Sequence, residues 1–125
     1  MKRIKVLIFL VIFSVLATIG CKDNAPDKPD GVWVRYSTQT DGSLLGTLEL
    51  KESSLFIFIT AQKGHKDTNG RYSLTENHIT FEDDSCYNPG TYTYSVGKKD
   101  LTFTLMSDTC EERVKILSGT WTRQN

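Results

Sequence analysis

CYNPGTYTYSVGKKDLTFTLMSDTC, residues 86–110, is the stretch whose reading decides the fold. Tyr92, Tyr94 and Val96 alternate with Thr91, Thr93 and Ser95. Beyond the turn residues Gly97-Lys98-Lys99-Asp100, Leu101, Phe103 and Leu105 alternate with Thr102, Thr104 and Met106. A period of two places alternate side chains on opposite faces, so this is a hairpin with one buried and one wet face. Pairing Val96 with Leu101 sets Tyr94 opposite Phe103 and Tyr92 opposite Leu105, all on one face. In that register Cys86 and Cys110 fall one residue out of step. Asn88-Pro89-Gly90 is therefore expected to break or bulge the strand beyond Tyr92. The two cysteines are expected to form a disulfide, worth roughly 3 kcal/mol through loop closure. Two free thiols are the alternative. A zinc site needs further Cys or His at close spacing, and neither cysteine has such a neighbour.

Outward from the hairpin, the chain reads as short strands divided by turns. Residues 32–38 are strand-like and lead to Asp41-Gly42. Leu44, Gly46, Leu48 and Leu50 alternate with Leu45, Thr47, Glu49 and Lys51, and Glu52-Ser53-Ser54 turn the chain. Residues 55–61 are apolar on both faces; Leu55, Ile57 and Ile59 are expected inward, Phe56 and Phe58 outward. A polar loop spans residues 63–70. Tyr72 and Leu74 are expected inward, as are Ile79 and Phe81 after Glu76-Asn77. Residues 113–117 and 120–123 read as the last strands, with Ser118-Gly119 as a bend. About eight short strands with turns every 8–12 residues predict an all-β fold. Consecutive hairpins predict an antiparallel up-and-down barrel, whose closure removes exposed strand edges. No helical stripe is expected after residue 20.

The N-terminus has a different composition. Met1-Lys2-Arg3-Ile4-Lys5 is basic and residues 6–19 are apolar apart from Ser14 and Thr18. That run is short for a bilayer span, which takes about 20 residues, and has the size and flanks of a secretory signal helix. A plain signal peptide, or an anchor helix that stays in place, also fits the composition. The expected organisation is a signal peptide at 1–20, Cys21 with a polar tether at 21–30 carrying Pro26 and Pro29, and a barrel domain at 31–125. Without Lys2, Arg3 and Lys5, fifteen basic residues become twelve against fifteen acidic, a net charge of −3. Nucleic acid and polybasic membrane contacts both need the opposite balance.

Two resemblances sharpen this reading. Ala17-Thr18-Ile19-Gly20-Cys21 resembles the lipobox of bacterial lipoproteins, with Thr18 where the usual pattern has leucine. It is similar to the looser lipoboxes of Bacteroidetes-like bacteria. The resemblance implies that Cys21 is acylated, with palmitate among the chains, and anchors the protein to the bilayer of the cell envelope. Cys21-Lys22-Asp23-Asn24 is similar to a signal that sends some such lipoproteins to the cell surface. The second resemblance covers residues 31–123. Gly31-Val32-Trp33 resembles the Gly-x-Trp that opens the first strand of lipocalins. Gly90-Thr91-Tyr92, Leu101-Thr102-Phe103, Asp108-Thr109-Cys110 with Arg113, and Gly119-Thr120-Trp121 resemble the second half of small bacterial lipocalin-like domains. This implies an arginine stacked over Trp33, for which Arg113 and Arg123 are both candidates. It also implies binding of a small apolar ligand. The chain is shorter than a full lipocalin, with no length for a helix on the barrel, and short barrels are often filled by their own side chains.

The candidate ligand-binding residues are Trp33, Tyr36, Tyr72, Tyr92, Tyr94 and Phe103, since a buried tyrosine hydroxyl wants a partner that a ligand could supply. Core packing is the plainer role for them. Phe56 and Phe58, if outward, would offer a patch to a protein partner, and an envelope inhibitor or assembly module is the alternative function. Glu82, Asp83, Asp84, Asp108, Glu111 and Glu112 gather near the cysteines but lack the ordered spacing of a calcium loop. His65 and His78 have no catalytic or metal-ligating neighbours at motif spacing. No enzyme activity, cofactor or metal is expected.

Overall fold

The computed structural model describes residues 28–37, 42–61, 63–64 and 66–125. The expected signal peptide, the lipobox with Cys21, and most of the tether lie outside these residues. Eight strands run in sequence: β1 (Gly31–Tyr36), β2 (Leu44–Leu50), β3 (Leu55–Thr60), β4 (Thr68–Leu74), β5 (His78–Asp83), β6 (Cys86–Val96), β7 (Asp100–Ser107) and β8 (Gly119–Arg123). Each pairs antiparallel with the next, and β8 returns to β1, so the sheet closes into an up-and-down barrel. A helix, α1 (Glu111–Leu117), lies between β7 and β8.

The hairpin formed by β6 and β7 has the register its alternation predicts: Val96 opposite Leu101, Tyr94 opposite Phe103, Tyr92 opposite Leu105. β6 runs unbroken from Cys86, yet its pairing is irregular on both sides. Towards β5, it carries extra residues between the pairs Phe81–Gly90 and Asp83–Cys86. Towards β7, the shift falls between Thr91 and Tyr92, where Met106 is the extra residue. Such bulges bend a strand and re-aim its end. Cys86 and Cys110 then form the disulfide, with Cα atoms 6.0 Å apart.

The interior is aromatic. Phe81 is fully buried and sits at the hub, with ring centroids 5.2 Å from Phe56, 5.7 Å from Phe103 and 5.9 Å from Tyr92, all edge to face. That geometry suits the ring quadrupoles. Each fully buried large apolar side chain contributes about 1.5–3 kcal/mol from surface withdrawn from water. Leu48, Leu50, Ile79 and Leu101 complete this cluster.

Three expectations are corrected. Residues 113–117 belong to a helix, not a strand. Arg113 and Leu117 are buried one turn apart, Glu111 and Glu112 lie in the first turn and Lys115 in the last. These charges suit the helix dipole. The faces of β3 are reversed: Phe56 and Phe58 are buried, whereas Leu55 and Ile59 are exposed. The phase comes from β2, because the turn Glu52–Ser54 sets Leu50 opposite Phe56 and Leu48 opposite Phe58. Leu74 and Leu105, expected inward, lie near strand ends and are exposed.

The barrel closes at β1 and β8 through two reciprocal stacks. Arg123 of β8 lies over Trp33 of β1, 4.3 Å from the ring centre, and Arg35 of β1 lies over Trp121 of β8 at 4.7 Å. Arg123, not Arg113, is thus the arginine over the first-strand tryptophan. At this base end Pro29 is buried and accepts a hydrogen bond from Trp33 Nε1 at 2.8 Å. Pro29 was expected in the tether, but it acts as a plug. Tyr72 seals the same end by donating its hydroxyl to the Lys51 carbonyl at 2.5 Å.

Candidate functional site at the barrel mouth

The opposite end of the barrel is held open by α1. The helix is fixed at both ends by groups that satisfy backbone and charge. At its N-terminus the disulfide ties Cys110 to β6, and the Cys110 amide donates to Asp108 Oδ1 at 2.9 Å. One turn in, Arg113 is buried within a closed set of acceptors. Its Nε and Nη2 donate to the two carboxylate oxygens of Asp108 at 2.7 and 2.8 Å. Its Nη1 donates to Asp83 at 2.9 Å and its Nη2 also to the Asn88 carbonyl at 2.5 Å. Tyr92 completes the network, donating its hydroxyl to Asp108 Oδ2 at 2.5 Å. A buried charge is tolerated only when paired and hydrogen-bonded in this way. Burial, then the Asp108 carboxylate, push the Tyr92 hydroxyl well above its ordinary pKa. Burial pushes the Asp108 carboxyl up, but hydrogen bonds from Arg113, Tyr92 and the Cys110 amide outweigh it and leave the group below its usual range. The Asp108 and Asp83 carboxylates hold the Arg113 guanidinium above its usual value. Gly90 makes room for this network, because a Cβ there would run into the Asp108 carboxylate.

At the C-terminal end of α1, Arg35 reaches across from β1. Its Nη1 donates to the Ile116 carbonyl at 2.8 Å and its Nη2 to the Ser118 carbonyl at 2.5 Å. These are carbonyls that the end of a helix otherwise leaves unpaired. Burial lowers the Arg35 pKa from its usual value.

Between this fixed helix and β2, β3 and β4 lies a cavity of about 470 Å³ that opens to solvent. Phe56, Phe58, Trp121 and Leu117 form its apolar depth. Leu45 and Ile116 extend this lining, and Thr60, Thr68 and Ser85 bring hydroxyls to it. Arg35, Lys66, Arg113 and Lys115 bring positive charge to the lining, and Asp83 and Glu112 negative charge. Gly46 also lines it, and a Cβ there would collide with the ring of Phe58. The volume falls within the roughly 300–1,000 Å³ of small-molecule sites, which pair an apolar lining with a few placed polar groups.

None of the six aromatics expected near a pocket lines this cavity. Trp33, Tyr72, Tyr92 and Phe103 belong to the packed core, Tyr94 is partly buried against it, and Tyr36 is half exposed beyond a bulge in β1. The tyrosine hydroxyls that invited a ligand find protein partners instead: Tyr92 meets Asp108 and Tyr72 meets Lys51. The lining comes from residues read otherwise or passed over: Phe56 and Phe58 with their faces reversed, Trp121, Arg35, and the helix. The alternation of β2 carried through its tight turn was the available signal for the two phenylalanines.

The acidic residues near the cysteines do not form one group. Asp83 and Asp108 converge on Arg113. Among the described residues, no cluster of three or more His, Cys, Asp or Glu side chains is placed to hold a metal ion, and no helix is long and apolar enough to cross a membrane. No protein-family model and no curated protein matches the chain.

Proposed function

We propose that this chain is a lipid-anchored, lipocalin-like binding protein of the bacterial cell envelope, without catalytic activity, that takes up a small apolar molecule at the mouth of its barrel. The observation that carries the reading is the cavity of about 470 Å³, lined at depth by Phe56, Phe58, Leu117 and Trp121 and open to solvent. Helix α1, held at both ends, keeps that space preformed, so a ligand need not order the site on binding. The chain enters the barrel at the base, beside Trp33 and Pro29. An anchor at Cys21 would therefore attach at the end away from the mouth, leaving the cavity facing out from the bilayer.

Native mass spectrometry of the full-length chain tests the binding reading. The expected result is a one-to-one complex with an added apolar molecule, lost in Thr68→Trp, which would place an indole in the mouth. No complex, or one unaffected by that substitution, would contradict it. For the anchor, Cys21→Ser is expected to abolish acyl labelling and membrane fractionation. Unchanged labelling would rule the lipid out.

A further inference from the structure

The charge around the cavity is not balanced, and the imbalance has one sign. Asp83 and Asp108 together more than neutralise Arg113 and leave one negative charge over. Arg35 has no such partner among the described residues: its acceptors are the neutral carbonyls of Ile116, Ser118 and Thr120. Among the described residues Lys66 and Lys115 make no ion pair either, and both line the cavity with Arg35. Glu112 is the one acidic lining residue outside the Arg113 cluster. Three cations therefore face two negative charges, Glu112 and the surplus carboxylate of the Arg113 cluster, which leaves a net charge of +1 above a floor of Phe58, Leu117 and Trp121.

A guanidinium carries five N–H donors in a planar fork. Two carbonyls and a third, longer contact at 3.5 Å leave Arg35 donor capacity over. Its stack on Trp121 fixes the plane of that fork at the junction of apolar floor and polar lining. A partly desolvated cation without a counter-ion attracts an anion more strongly than a surface lysine does, because water screens it less.

From this juxtaposition we infer that the ligand is an anionic amphiphile, with an apolar body on Phe58 and Trp121 and a single negative head group held by Arg35, Lys66 and Lys115. This rests on the binding reading above and narrows it to a ligand class.

Two probes share one apolar body and differ in the head: anilinonaphthalene sulfonate and the uncharged phenylnaphthylamine. Titrated into the full-length chain, and counting only the fluorescence lost in Thr68→Trp, the sulfonate is expected to bind about tenfold tighter, the size of one charge-assisted hydrogen bond. Arg35→Gln should bring the ratio of the two affinities close to one; any loosening of α1 falls on both probes alike and cancels in that ratio. Arg35 also holds α1, so Lys66→Gln with Lys115→Gln provides a fold-neutral second variant, expected to weaken the sulfonate about threefold and the neutral probe not at all. Equal or tighter binding of the neutral probe in the parent chain would overturn the anionic head and leave the binding reading standing. A sulfonate affinity unmoved by the lysine pair and by Arg35→Gln would also overturn it. Fluorescence of both probes unaffected by Thr68→Trp would overturn both readings.

Discussion

The two ends of this barrel use the same pair of residues for opposite purposes. At the base, Trp33 lies under Arg123, is sealed by Pro29 and lines no cavity; only a shallow polar depression between Lys28, Asp30, Gly97, Lys98 and Arg123 lies outside it. Towards the mouth, Trp121 lies under Arg35 and forms part of a cavity lining. The stacking is alike; the neighbours differ. Pro29 fills the space against Trp33, whereas α1 props the mouth open and takes up Arg35 as its C-terminal cap. A tryptophan–arginine stack therefore closes the seam between first and last strands. Whether it also borders a ligand depends on what the next element does with the remaining volume.

The sharpest way to break this contrast is at the base. Trp33→Ala removes a fully buried ring and is expected to cost about 3–5 kcal/mol, read as a shift in the denaturant midpoint. A loss under about 1 kcal/mol would mean the base is not the stability centre. At the mouth, Asp108→Ala leaves Arg113 buried with only Asp83 as counter-ion and Tyr92 without an acceptor, and about 3 kcal/mol is expected to be lost. Opening the disulfide with Cys86→Ala and Cys110→Ala should cost roughly 3 kcal/mol or somewhat less, because Arg113 and Arg35 still hold α1. If either mouth variant proves neutral, α1 is not the prop described here. Finally, Leu55→Ser on the exposed side of β3 should change stability by no more than about 0.5 kcal/mol, whereas Phe56→Ala on the buried side should cost about 3–5 kcal/mol. The reverse ranking would return β3 to the faces its sequence suggests.

The buried network also sets a pH window. The Asp108 carboxyl lies below its ordinary value in the fold, so its contribution is complete above the unfolded value, about 3.9, and is lost as pH falls through the lower folded value. The Tyr92 hydroxyl lies above its ordinary value of 10.0. Its contribution is therefore complete below that point and is lost as pH rises beyond it. Urea midpoints should hold a plateau between these limits and fall at both ends, and Tyr92→Phe should flatten the alkaline fall.

Strand order, closure and the hairpin register were legible because alternation is informative when one face is polar, as it is at Thr91, Thr93 and Ser95. The same rule explains the failure at β3. Leu55 to Ile59 is apolar on both sides, so its phase cannot be read within the strand and is set by the turn after Leu50. Helix α1 escaped because seven residues with Val114, Ile116 and Leu117 fit a short strand as well as two helical turns. The partners of Tyr92 and Tyr72 were hidden for another reason. A buried hydroxyl does want a partner, but Asp108 and Lys51 are brought to Tyr92 and Tyr72 only by the closed barrel. A cavity is a property of volume left over, which no local pattern records.

The claim that Trp121 borders a binding site and Trp33 does not has a direct test, because the chain has only these two tryptophans. A bromoalkane quenches indole fluorescence only at contact. In Trp33→Phe, which leaves Trp121, saturable quenching is expected; in Trp121→Phe, which leaves Trp33, none is. Equal quenching of the two, or quenching of Trp33 alone, would contradict the account.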